Sequence, residues 1–156
     1  MTNKILAVIV FTLFFACKPD PTSGLVDIDL MSYGVPIKIK APQDAEVVAK
    51  DMIVMKDVTI KKDGFFIQLL YSDAITHDPV KALTEQRNTV ESGPFFSKIV
   101  QEDEHGFIFE KKIDEDNINY DFRFIKIRGG KEYIFQTGLI GKYSLEEVQK
   151  MYAAVQ

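Results

Sequence analysis

Cysteine is nearly absent: Cys17 is the only one in 156 residues. That excludes a disulfide within the chain, a two-thiol redox centre and a cysteine-based zinc site. Histidine is almost as scarce. His77 and His105 each stand beside a turn signal and lack the helical or strand spacing of a metal pair, so no metal site is expected. There is no tryptophan and no excess of basic charge, and the formal net charge is −4. Nucleic acid and anionic headgroups, which need a basic face, are therefore unlikely partners. Long apolar runs are missing too. Ile5–Ala16 holds 12 uncharged, mostly apolar residues, and as a helix it would rise about 18 Å, short of a bilayer core of about 30 Å. Neither repeats nor low-complexity tracts occur.

What that run does have is the layout of a signal-peptide core: Lys4 ahead of it, a small residue at its end, and Cys17 next. A plain secretory signal would leave Cys17 as a free surface thiol, a liability in an oxidising compartment. The stretch Phe14 to Cys17, "FFAC", resembles the lipobox of bacterial lipoproteins, although Phe14 and Phe15 are not the commonest residues there. The resemblance implies removal of residues 1–16, lipidation of Cys17 and attachment to the cell envelope. Lys18 follows the cysteine in place of the Asp that marks inner-membrane retention, so the outer membrane is favoured, facing the periplasm. Two or three acyl chains, at about 0.8 kcal/mol per buried methylene, give a durable anchor.

Residues 17–24, the lipidated cysteine and "KPDPTSG", are expected to form a flexible tether, with two prolines, Gly and Ser and nothing apolar to pack. Residues 25–156 then make one domain of ordinary size. Its first strands are "LVDIDL" and "VPIKIKAP", the second carrying the non-donating Pro36. "DMIVMKDVTIKKDGFFIQLLYSD" reads as a bent or paired strand, a Lys62-Asp63-Gly64 turn and a strand from Phe65. Asp78-Pro79 opens a helix that Gly93-Pro94 stops. Strands follow in "PFFSKIVQE", "HGFIFEKKI" and "INYDFRFIKIRGGKEYIFQTGL", with Gly129-Gly130 closing a hairpin. Ser144 and Glu147 form a capping box for a last helix with an apolar stripe through Val148, Met151 and Tyr152.

This order predicts an α+β fold with a mainly antiparallel sheet and two helices. Carried by "VPIKIKAP", "GFFIQLLYSDA" and "GGKEYIFQTG" running into "SLEEVQKMYAAV", it resembles the PsbP-like family of small α/β/α sandwiches. The members of that family that are understood act as adaptors or assembly factors, which implies a binding role and no catalysis.

The residues agree in offering no catalytic constellation. Ser72, Ser92, Ser97 and Ser144 lack a strand-elbow context, and the glycines match no phosphate loop or dinucleotide fingerprint. Two acidic clusters, Glu102-Asp103-Glu104 and Asp114-Glu115-Asp116, stand out; the second fails as a calcium loop because Asn119 occupies the glycine position. Both are expected to be solvated loops available to a partner. Arg87 interrupts the stripe of Val80, Leu83 and Val90 and is expected to reach an acidic side chain on a neighbouring strand. Aromatics at spacing two, such as Phe107 with Phe109 and Phe122 with Phe124, belong to single sheet faces. The leading expectation is a lipid-anchored module, without cofactor, that binds another envelope protein. A carrier of a small apolar ligand between helix and sheet is the alternative, and a hydrolase comes third.

Overall fold

The computed structural model describes residues 20–156. Cys17 and the apolar run before it lie outside the described residues. The chain forms an α+β fold of a seven-stranded antiparallel sheet, a separate two-stranded sheet and two helices.

The small sheet pairs β1 (Leu25–Asp29) with β2 (Lys38–Pro42), Leu25 opposite Pro42, across a 3-10 turn at Leu30–Tyr33. Pro36 precedes β2 and so removes no ladder donor. The large sheet is assembled from β3 (Glu46–Asp51), β4 (Met55–Lys62), β5 (Phe65–Asp73), β6 (Phe96–Glu102), β7 (Gly106–Lys112), β8 (Ile118–Arg128) and β9 (Lys131–Thr137). Its order is β3-β4-β5-β9-β8-β7-β6. The edge strand β6 carries two register shifts, between Phe96 and Lys98 and between Ile99 and Gln101.

Helices α1 (Pro79–Glu91) and α2 (Leu145–Ala154) cover opposite faces. Asp78 caps α1 by accepting from the amides of Val80 and Lys81, and Pro79 supplies the first residue. Its apolar face is short: Val90 packs on Phe107 and Phe109. In α2 the capping box of Ser144 and Glu147 is formed, and Val148, Met151 and Tyr152 sink into the main core with Ile108, Phe122, Phe124 and Phe135. Phe122 and Phe124 both meet the Tyr152 ring edge-on, centroids 5.7 and 5.5 Å away.

Two features differ from the sequence reading. Met52, Ile53 and Val54 form the exposed tip of a β3–β4 hairpin, and β3 precedes them in "EVVAKD". Strand propensity in "MIVM" is overridden because Val47 and Ala49, not the tip residues, face the buried Ile60 and Val58. The segment Asp20–Gly24, read as tether, is a hydrogen-bonded turn: the Asp20 carboxylate accepts from the amide and hydroxyl of Thr22, and the Leu25 amide donates to the Thr22 carbonyl.

The sheet therefore has two ends. At the near end lie Asp20–Leu25, the Asp63-Gly64 turn, the β7–β8 turn, the β9–α2 loop and the start of α2. At the far end lie the hairpin tip 52–54, the residues after β5, the Gly129-Gly130 turn and the β6–β7 turn.

Candidate functional site

The two acidic clusters are not brought together. Glu102, Asp103 and Glu104 belong to the far end, Asp114, Glu115 and Asp116 to the near end, and the length of β7, about 20 Å, separates them. Each is exposed, and part of each is occupied with local structure. Asp103 accepts from the amides of His105 and Gly106, and Asp114 from the amide of Asp116. Glu102 takes both nitrogens of the Arg87 fork, the second at 3.1 Å, while Arg87 Nε donates to Glu91 at 2.9 Å. The acidic partner expected for Arg87 is thus on β6, and the hydrogen bonds to Glu91 and then Glu102 raise the guanidinium's already high pKa. His105 stacks edge-on against Phe124. Among the described residues no three His, Cys, Asp or Glu side chains converge as metal ligands.

The aromatic stripes are core. Phe107 and Phe109 are covered by α1, and Phe122, Phe124 and Phe135 by α2. Between α2 and the sheet the space is filled by Val148, Met151 and Tyr152, each buried to within 1%. Among the described residues the buried Tyr152 hydroxyl has no hydrogen-bond partner, and burial pushes its ionisation far above the usual tyrosine range.

An open concavity of about 540 Å³ lies between the small sheet and the β8–β9 hairpin. Lys38, Lys126 and Arg128 rim it, with Asp29, above a floor that includes Ile37 and Tyr133. Lys126 donates to the carbonyls of Val155 and Gln156 just past α2, and burial lowers its pKa.

Polar groups concentrate on the α1 face of the sheet beyond the helix. Gln136 donates to Gln68 at 2.7 Å and Gln68 to Asp57 at 2.8 Å, tying β9, β5 and β4. Asp121 occupies the fork where the β8–β9 ladder stops at Phe124 and Phe135. It accepts from the amides of Phe122 and Thr137 and from the Thr137 hydroxyl, and it faces Lys111 at 3.1 Å and Arg123 at 3.3 Å. These groups are tied to one another within the fold, although Asp57 Oδ1 is buried without a hydrogen bond among the described residues.

What structure does not explain is exposed apolar surface at both ends. At the far end Ile53 is fully exposed, with Val54 and Met52 beside it in the hairpin tip, and Ile75, just past the end of β5, is exposed as well. At the near end Leu139 and Ile140 are 82% and 86% exposed in the β9–α2 loop. The sequence reading missed both groups. The far tip was hidden because no Gly or Pro marks the turn; an apolar run with nothing alternating against it was the available signal. Among the described residues no helix is long and apolar enough to cross a membrane. Compared with protein families, curated proteins and solved structures, the chain finds no match.

Proposed function

We propose that this chain is a bacterial lipoprotein, lipidated at Cys17 and held at the envelope with the outer membrane favoured, whose PsbP-like domain is an adaptor for another envelope protein. The observation that carries the adaptor reading is the exposed apolar hairpin tip Met52–Val54, at the end of the sheet remote from Asp20. Exposing apolar side chains of that kind to water raises the free energy, and covering them lowers it. Anchoring raises the tip's local concentration near membrane partners, so a modest interface suffices. The unassembled acidic clusters suit steering of the encounter and not chemistry.

The test has two arms. Cys17→Ala should release the protein from the membrane fraction and remove the diacylglyceryl mass; a wild type without lipid mass defeats the anchor. A photo-crosslinking residue at Ile53 should capture one recurring envelope protein, and the same residue at Lys50, on the exposed part of β3, should not. Equal capture from both positions defeats the adaptor. The carrier is the second reading, and the open groove with cationic rim and apolar floor favours it in the form of an anionic amphiphile. Native mass spectra retaining such a molecule would put it first.

A further inference from the structure

We propose that the near end of the domain lies against the lipid surface, with Leu139 and Ile140 seated in the headgroup region of a zwitterionic bilayer. The loop that carries them is pinned on both flanks. A Cβ on Gly138 would fall 2.4 Å from the Phe66 ring, and one on Gly141 2.3 Å from the Tyr143 hydroxyl. Asn119 donates to the Gly141 carbonyl and accepts from the Tyr143 amide, while the Tyr143 hydroxyl donates to the Ile140 carbonyl. The two apolar side chains are thus held out into solvent by tight packing and hydrogen bonds on either side. Ile118, adjacent to Asn119, and Ile113 across the same turn extend the apolar tip.

The direction in which the chain leaves selects the occupant. Asp20 and Pro21 lie beside Glu146 and Lys150 in the first turns of α2, which follow Ile140 closely in sequence. From Asp20 back to Cys17 the chain reaches at most about 11 Å. A lipid on Cys17 therefore keeps this end at the membrane and turns the Ile53 tip away from it. The inference rests in that respect on the anchor proposed above. Asp114, Glu115 and Asp116 share the near end with the exposed Lys112 and Lys142, so this end carries both signs and suits a zwitterionic surface.

The chain has no tryptophan, so one added residue reports alone. Full-length protein purified from membranes, as Ile140→Trp or Ile53→Trp, is placed on phosphatidylcholine vesicles containing brominated acyl chains. The Trp at 140 should emit to the blue and be quenched, and the Trp at 53 should do neither. Adding Leu139→Ser to Ile140→Trp should shift the docked-to-undocked ratio about tenfold, the order expected for losing one buried leucine. Lipidated protein whose Trp at 140 stays red and unquenched overturns docking and leaves the anchor standing. Quenching at 140 in protein without lipid mass supports docking and removes the anchor. Shielding at 140 in native membranes without bromine quenching means a protein covers the loop, and docking on lipid fails.

Discussion

Arg87 keeps a third of its side chain exposed while its fork spans Glu102 and Glu91. At that exposure an ion pair contributes about 0.2–1 kcal/mol, and placement 6.0 Å from the Phe107 ring centroid adds about 0.5–1 kcal/mol. Arg87→Ala should therefore lower unfolding stability by about 1–2 kcal/mol in urea titrations, and Arg87→Lys should lose part of that because it cannot bind bidentately. Glu132 offers the opposite case. Burial first, and the Glu85 carboxylate second, raise its pKa above the ordinary glutamate value. The folded state then binds the proton more tightly than the unfolded chain, so stability falls as pH rises from the ordinary glutamate range through the raised value. Glu132→Gln should be more stable than wild type at neutral pH, and the gap should close on acidification. Denaturation at neutral and mildly acidic pH checks this, and a constant gap would refute it.

Among the elements, the β8–β9 fork depends on Asp121. Its carboxylate serves two amides and a hydroxyl where the ladder ends, and two cations face it. Asp121→Ala should cost about 3–5 kcal/mol by calorimetry, the range for breaking a buried pair from one side. Ser144→Ala should cost about 1 kcal/mol, because the α2 amides lose their cap. Ser144 could be read directly, since a capping box is a local signal. The Asp63-Gly64 turn and the start of α1 at Asp78-Pro79 were legible for the same reason. The role of Asp121 was not, because the amide of Thr137 comes from another strand and nothing local announces it. Likewise β3 escaped notice because its turn is built from apolar residues, and nothing local announces that β1 and β2 pair apart from the main sheet. Of the candidate site, Asp103, Glu104 and the 114–116 cluster were legible as loops; that Glu102 ends β6, and that the clusters lie at opposite ends, was not.

At the scale of the whole molecule, the two apolar tips predict separable functions. Ile53→Ser with Val54→Ser should leave the thermal midpoint within a few degrees of wild type, because both side chains are already in water. Capture through this end should nevertheless be lost, with membrane attachment intact. Loss of fold in that variant would show the tip to be structural.

The strand order also bears on how the chain reaches its fold. Six strand pairings make up the large sheet, and five of them join strands that follow each other in sequence. The sheet is thus a three-stranded meander, Glu46 to Asp73, and a four-stranded one, Phe96 to Thr137, sewn along the single seam of β5 and β9. Its nearest pair, Asp73 and Lys131, is 58 residues apart, and Tyr71 meets Tyr133 there with ring centroids 5.0 Å apart. Each meander closes only short loops, whereas the seam bears the one large loop-closure entropy in the sheet. Seam formation should then be the late event in folding, and truncations at Leu69 and Phe135 should show φ-values near zero.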